Sequence, residues 1–201
     1  LDQPGAEGDW EMIDTIAPVM TQGARNWIRD LAREFKQTGI DASFAFSMEC
    51  YRPPVAMAAR YWDGAPVDLP VPSTQLHFGT RVRSYLKQMY KECADELAAA
   101  GLPIVLQFGE TQWWYFPNAS GMPFYDDDTK AAFQARYGRP LHRFLANTDD
   151  PNDDIAAADF LRDRIWEYCA EVIGYVRRFH PSAVFECLWP LDANQGKPAP
   201  D

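Results

Sequence analysis

The sequence predicts an α/β fold, a partial (β/α)8 TIM barrel of about three βα units with long loops at the C-terminal face of its strands. Three times, a long amphipathic helix is followed by a short break and an apolar strand that runs to a glutamate, at Glu49, Glu110 and Glu186. Long segments, 50–80 and 112–154, follow the first two strands, whereas the turns from helix to strand are short. Elaborated loops on that side are typical of barrels, and an open doubly wound sheet is the alternative.

The first unit consists of a helix over 24–38 and a strand over 42–48. Apolar residues recur along this helix at helical spacing and predict its buried face: Trp27, Ile28, Leu31 and Phe35. Gly39 stands where a C-terminal glycine ends a helix. In the strand, Phe44, Phe46 and Met48 alternate with small residues, and Glu49 follows.

The second unit repeats this order with a helix over 81–100, Gly101 at its end and a strand over 103–108. Its inner stripe is predicted to be Val82, Leu86, Met89, Cys93 and Leu97. The third unit has a helix over 157–179 and a strand over 183–188. Its inner stripe is predicted to be Phe160, Leu161, Ile165, Cys169, Val172, Ile173 and Val176. Three strands cannot close an eight-stranded barrel, so we expect the rest of the barrel outside this sequence.

One short helix is predicted within the second long loop, over 129–137. Asp126, Asp127 and Asp128 precede it and Gly138 follows it. Acidic residues before a helix are ordinary capping and dipole partners, so we interpret these three as caps rather than as a cation site. The sequence predicts no metal site.

Composition indicates one globular domain over 1–201, with a leading segment 1–23, the helix–strand units over 24–196 and a tail over 197–201. The chain of 201 residues is 47% hydrophobic, and its net charge is -10. Because phosphate binding needs clustered Lys and Arg, this charge argues against a nucleic-acid partner. Apolar runs are too short for a membrane helix, and no Gly-rich loop predicts a nucleotide cofactor. The four scattered cysteines are predicted to be reduced thiols.

Glu110 is the best candidate for a catalytic acid. Glycoside hydrolysis needs two carboxylates, of which one is kept protonated by its surroundings. The aromatic run that follows begins with Trp113, Trp114 and Tyr115, which could desolvate Glu110 and raise its pKa, and whose rings suit the C–H faces of sugars. Capping or a structural ion pair is the alternative for Glu110, and plain packing is the alternative for the aromatic run.

Glu49, Glu186 and Trp189 are further candidates for substrate binding, since each lies at or near a strand end. A structural salt bridge is the alternative for the two glutamates. The strand of Glu186 continues through Cys187 and Leu188, so this side chain could point into the barrel instead of crowning it. Trp62 follows the first strand, and its ring would add to the aromatic surface formed by the run after Glu110.

From Gly101 onward the sequence resembles clan A glycoside hydrolases of the family 42 β-galactosidase type. The resemblance lies in the strand that ends at Glu110, in the helix Ala131–Gly138 and in the segment Ala158–Arg162. It implies a retaining β-glycosidase with Glu110 as general acid/base and a nucleophile beyond Asp201. These enzymes usually place asparagine before the acid, where this chain has Gly109.

The segments Phe108–Phe116 and Gly121–Tyr125 are also similar to the TIM-barrel domain of phage non-contractile tail sheath proteins. This second resemblance implies a structural or glycan-contacting module of a phage tail, located in the virion. Its partners would be carbohydrate or other tail subunits, and a homo-oligomer is one possible arrangement. The enzyme would instead be expected in the bacterial cytoplasm. Sequence reasoning favours the tail module and keeps the retaining β-glycosidase as its alternative.

Overall fold

The structure, a computed structural model, describes residues 2–4, 10–12, 17–68, 73–109, 111, 121–145 and 149–188, the first two of these ranges as backbone alone. The strands within them are β1 (Asp2–Pro4), β2 (Trp10–Met12), β3 (Phe44–Phe46), β4 (Glu49–Cys50), β5 (Thr74–Gln75), β6 (Val105–Phe108) and β7 (Val184–Cys187). The helices are α1 (Gln22–Thr38), α2 (Thr80–Ala100), α3 (Asp127–Tyr137) and α4 (Ile155–Arg177), with 3-10 turns at Val55–Met57 and Pro151–Asp154.

A three-stranded parallel sheet forms the centre of the fold, in the order β3-β6-β7. Phe44 lies opposite Leu106, and Leu106 lies opposite Phe185. The crossover from β3 to β6 contains α2, and the crossover from β6 to β7 contains α3 and α4. The parallel arrangement predicted from the alternation of helices and strands is therefore confirmed.

The helices pack side by side, with α2 between α1 and α4. Strand order follows chain order without the reversal that defines a doubly wound sheet. Both features agree with part of a barrel, and the portion of the chain that the structure describes contains no closed barrel. A two-stranded antiparallel pair, β1 with β2, precedes α1.

Alternation along the strands divides the sheet into two faces. Leu106 and Phe108 are 0% and 2% exposed and belong to the hydrophobic core with the helices. Phe108 packs against Tyr90 of α2, Tyr168 of α4 and Phe185 of β7 at ring-centroid distances of 5.2, 5.5 and 5.5 Å. Aromatic edges and faces thus join sheet and helices in one core.

The predicted helices are all present, and Gly39, Gly101 and Gly138 end α1, α2 and α3 with φ of 70°, 72° and 70°. One predicted core residue is wrong, since Trp27 is 64% exposed. The buried residues of α1 are Ile28 and Ala32.

Glu92 of α2, 3% exposed, fixes the segment that leads into α1. Its two carboxylate oxygens accept the backbone N–H groups of Val19 and Met20, both at 2.8 Å. Gln88 donates to the same carboxylate at 2.9 Å. A buried carboxylate with several donors is satisfied, and here it joins two distant parts of the chain.

All four cysteines lie in the described part of the chain, and all are free thiols, as predicted. Burial raises the pKa of Cys93 and of Cys169 to about 12 each. Among the helices that the structure describes, none is long and apolar enough to cross a membrane.

Candidate functional site

The carboxyl ends of the three parallel strands lie level with one another. Phe46, Phe108 and Cys187 form one row across the sheet, and the ladder continues for one residue, since Gly109 donates to Phe46 at 2.9 Å and Leu188 donates to Phe108 at 2.8 Å. The chain therefore leaves all three strands along one edge, as the sequence analysis expected. Several predicted site residues lie outside the described residues, and their roles stay predictions: Glu110, Trp113, Trp114, Tyr115 and Trp189.

Glu49 does not end the first parallel strand, so that prediction is wrong. β3 ends at Phe46, and Glu49 belongs to the antiparallel pair of β4 with β5, opposite Gln75. The chain leaves the parallel sheet because the Met48 carbonyl accepts the Leu76 N–H at 2.7 Å. The Glu49 carboxylate accepts a weak hydrogen bond from Ser73 Oγ at 3.4 Å. Its predicted binding role stays a prediction.

Glu186 lies within β7, one residue before the strand ends, on the face turned away from the helices. Its partner in the ladder is Gln107, whose side-chain Nε2 donates to Glu186 Oε2 at 3.1 Å. In a closed barrel this face is the interior. Of the two orientations considered from the sequence, the Glu186 side chain therefore has the one that points toward the barrel interior. It is exposed to solvent in the part of the chain that the structure describes. Its predicted role in binding is not tested by this placement.

Gly109 stands where the backbones of β3 and β6 approach closely. A Cβ atom at this position would lie 2.9 Å from the Phe46 carbonyl oxygen and 3.1 Å from the Ser47 nitrogen. Backbone atoms of a paired strand cannot move aside without disturbing the ladder. Any side chain at position 109, asparagine included, therefore requires a shift of the strands.

The two long loops after β3 and β6 are joined to each other above this edge. Tyr125 donates its backbone N–H to the Arg60 carbonyl at 2.9 Å. Its hydroxyl accepts the Phe144 N–H at 2.5 Å and donates to the His142 carbonyl at 3.1 Å. Burial raises the pKa of Tyr125 to about 12, so the hydroxyl keeps its proton and its donor role at neutral pH. The loops form a defined surface.

A buried polar network lies at the first turns of α2 and α3. Asp126 caps α3, since its side chain accepts the Thr129 N–H at 2.9 Å, as predicted. His77 Nδ1 lies 3.5 Å from the Asp126 carboxylate and accepts the Gly79 N–H at 2.8 Å. Because Nδ1 acts as acceptor, the proton of a neutral ring resides on Nε2, which lies 2.8 Å from the Ala56 carbonyl.

Arg164, 5% exposed, connects this network to α4. It donates to the Phe78 carbonyl at 3.1 Å and pairs with Asp128 at 2.8 Å. Asp128 is therefore an ion-pair partner as well as a residue near the helix start. The sequence analysis missed Arg164, although a signal exists, since an arginine interrupts the apolar stripe of α4 between Leu161 and Tyr168. This network ties the loops to the helices.

An open groove of about 390 Å³ lies between the two loops, next to α3. We call it the Trp62 groove, after its half-exposed indole; its lining is Trp62, Tyr125, Lys130, Ala131, Gln134, Pro140, Leu141 and Arg143. The Arg143 guanidinium lies over the indole, 5.3 Å from the ring centroid. Lys130 pairs with Asp127 at 2.8 Å, whereas Arg143 forms no salt bridge with the residues that the structure describes. Sequence reasoning named Trp62 and missed Arg143, because only the fold brings them together.

The chain matches a protein-family model. Residues 4–176 match the model described as the TIM barrel of the non-contractile tail sheath protein. The match covers β3, β6, α1 to α3 and all of α4 except its last residue, and it supports the second of the two resemblances seen in the sequence. A search among curated proteins found no match.

Proposed function

The chain belongs to the family of non-contractile tail sheath protein TIM barrels, and on that premise we propose that it serves as a structural module of a phage tail. In this role it contacts other tail subunits and resides in the virion. A structural module needs a stable scaffold with surfaces for its neighbours, and it needs no catalytic carboxylate pair.

The packing of Gly109 is the observation that carries this proposal beyond the family match. The glycosidases that the sequence resembles use an asparagine side chain before the acid, whereas here the neighbouring backbone, 2.9 Å from the position a Cβ would take, occupies that space. A residue with the function of that asparagine does not fit this backbone. The close approach supports a barrel that keeps the architecture without that sugar contact.

The location in the virion can be tested directly. Virions of the phage that encodes the chain, purified by density gradient, should contain it at many copies per particle, and gold-labelled antibody should bind along the tail tube. Detection only in the lysate of infected cells, with none in intact purified particles, would overturn the structural proposal.

The retaining β-glycosidase remains the second candidate, favoured by one observation: β6 ends at Phe108, at the carboxyl edge of the sheet, and Glu110 follows two residues later in the sequence. This hypothesis requires that the full-length protein hydrolyse an aryl β-galactoside and that Glu110→Gln abolish the turnover. Equal rates for the two proteins would remove Glu110 from any mechanism.

Contact with glycans is a finer part of the proposal and rests on the aromatic run Trp113–Tyr115. Stacking on sugar C–H faces requires exposed rings. If this role holds, Trp113→Ala and Trp114→Ala should each weaken binding of the full-length protein to host cell-wall glycan at least about tenfold. Trp27→Ala, which removes an exposed indole on α1, serves as the matched control. Undiminished binding in both loop variants would refute this part alone.

A further inference from the structure

We propose that the Trp62 groove receives the outer face of α4 from a second copy of this chain, in a head-to-tail contact between neighbouring subunits. The inference rests on the proposed function, because only a subunit of an assembly needs such a contact. We define the α4 outer face by Asp159, Arg162, Asp163 and Trp166.

The distribution of charge favours contact at the Trp62 groove. Each copy carries a formal net charge of -10, so two copies repel each other over most of their surfaces. The Trp62 groove is locally different, since Arg143 and Lys130 line it and Arg143 lacks a carboxylate partner among the described residues. A second copy meets least repulsion where one of its acidic faces approaches this arginine.

The α4 outer face supplies the matching chemistry. Trp166 is 71% exposed and lies two residues from both Arg164 and Tyr168, hence about 200° around the helix from these buried side chains. Among the described residues, this indole packs into no hydrophobic core. Tryptophan is among the residues that carry the most binding energy at interfaces, so this exposed indole is a candidate anchor for a contact.

Two carboxylates flank that indole on the preceding turns. Asp159 and Asp163 both contact Arg162, at 2.8 and 3.0 Å, and their side chains are 49% and 36% exposed. Two negative charges against one positive charge leave this face acidic. Arg143 of the groove can therefore pair with one carboxylate while the indole enters the space beside Trp62 and Leu141.

Symmetry follows from the location of the two surfaces. The groove is formed by the loops and α3, whereas the α4 outer face lies on another helix, and no residue belongs to both. The contact is therefore heterologous: each copy can offer its α4 face to one neighbour and its groove to another. Repeated contacts of this type form rings or open helical arrays, the architecture that a sheath requires.

The test measures self-association of the full chain by sedimentation over a range of concentrations at about 0.15 M salt, which screens the long-range repulsion between copies more than a close ion pair. Wild type should associate, and both Arg143→Glu in the groove and Trp166→Ala on α4 should weaken association at least about tenfold. Arg136→Glu makes the same charge change on the exposed part of α3 outside the groove and should leave association unchanged. Thermal unfolding of each variant checks that it folds; all of the substituted side chains are exposed.

A mixing experiment separates this contact from any other. Each of the two variants keeps one intact surface, so an equimolar mixture of Arg143→Glu and Trp166→Ala should form one-to-one pairs that do not grow further. Three results would overturn the inference: monomeric wild type at every concentration, variants that associate like wild type, or a mixture that stays monomeric. Loss of binding to an acidic oligosaccharide in Arg143→Glu with unchanged association would instead identify a glycan site. The virion experiment is independent of all of these, so either proposal can fail alone.

Discussion

The two faces of the central sheet differ in environment although the same three strands form both. Toward the helices, Leu106 and Phe108 are 0% and 2% exposed and are surrounded by aromatic rings. On the opposite face, Val184 is 51% exposed, and Gln107 donates to Glu186 at 3.1 Å. In a closed barrel this second face becomes the interior.

The comparison shows where the stability of the described fold resides. Sheet and helices bury their apolar side chains against each other on one side only, so the free energy of folding comes mainly from that side. The opposite face adds little while other strands do not cover it. Substitutions on the two faces should therefore differ in their effects, and the differences can be ranked.

Thiol reactivity should show the largest difference, here between the buried centre of the helix side and its exposed edge, because Cys187 pairs with Phe108 and lies on the same face of the sheet. Burial raises the pKa of Cys93, on the core side of α2, to about 12, so its thiolate fraction at pH 8 is about a thousandfold below that of an ordinary cysteine. Cys187 of β7 is exposed, and its pKa is raised to a smaller extent. Reaction of the native protein with Ellman's reagent should modify Cys187 on the order of a hundredfold faster than Cys93.

The assignment has a direct control. Cys187→Ser should remove one thiol from the fast phase, and all thiols should react rapidly in denaturant. A fast phase of unchanged amplitude in Cys187→Ser would mean that the edge of β7 is covered and that the helix side is closed up to its last strand.

Truncation of an apolar side chain should also cost more stability on the helix side of the sheet than on the opposite face. Leu106→Ala removes a fully buried side chain on the helix side and should lower the free energy of unfolding by about 2 to 5 kcal/mol. Val184→Ala, on the opposite face of the neighbouring strand, should lower it by less than about 1 kcal/mol. Urea unfolding followed by circular dichroism measures both. Equal losses for the two variants would show that the second face is already packed.

The helix side is also the part that the sequence predicted well. Every predicted helix appears within about two residues of its predicted bounds, and glycines end α1, α2 and α3 as predicted, because apolar spacing and terminal residues are local signals. The strands are shorter than predicted: β3 covers Phe44–Phe46 instead of 42–48. A strand ends where its partner ends, and the apolar pattern along one segment carries no information about the length of its neighbour.

The candidate site was predicted less completely, for the same reason. Glu49 was assigned to the parallel strand, yet its segment pairs with Thr74–Gln75, more than twenty residues later. The Trp62 groove joins residues of two loops, and the Trp62–Arg143 contact spans eighty-one positions. Such pairings depend on how the loops pack, which neither periodicity nor short motifs contain.

Substitution of two glycines should change the free energy of unfolding by an intermediate amount. Gly109→Ala places a methyl group 2.9 Å from the Phe46 carbonyl oxygen and should destabilise the protein by about 1 to 3 kcal/mol through strain between β3 and β6. Gly174→Ala in α4 places the same group in open space and should stabilise by about 0.5 to 1 kcal/mol, because alanine favours the helix. In the same unfolding assay, the two substitutions should change the free energy of unfolding in opposite directions. If Gly109→Ala were neutral, the strands could separate there, and the backbone would not exclude an asparagine at this position.

The smallest expected effect concerns an ion pair on the helix side, where Arg139 donates to both oxygens of Asp154 at 2.6 and 2.7 Å. The hydrogen bond from Arg139 holds the pKa of Asp154 below its usual value of 3.8, helped by the Ala157 N–H that Asp154 caps. A depressed folded-state pKa stabilises the protein above the unfolded pKa, and this stabilisation is lost as pH falls through the folded value. Asp154→Asn keeps a cap but removes the charge, and it should cost roughly 0.5 to 1 kcal/mol at pH 7 and almost nothing near pH 2.

The matched control for that pair is Asp127→Asn on the first turn of α3. Lys130 lowers the pKa of Asp127 as well, but this carboxylate is fully exposed, so solvent screens the pair and the loss should be smaller than for Asp154. Unfolding of both variants between pH 2 and pH 7 separates the two cases. A pH-independent loss in Asp154→Asn would assign its effect to packing at the start of α4 and would remove electrostatics from the account of the helix side.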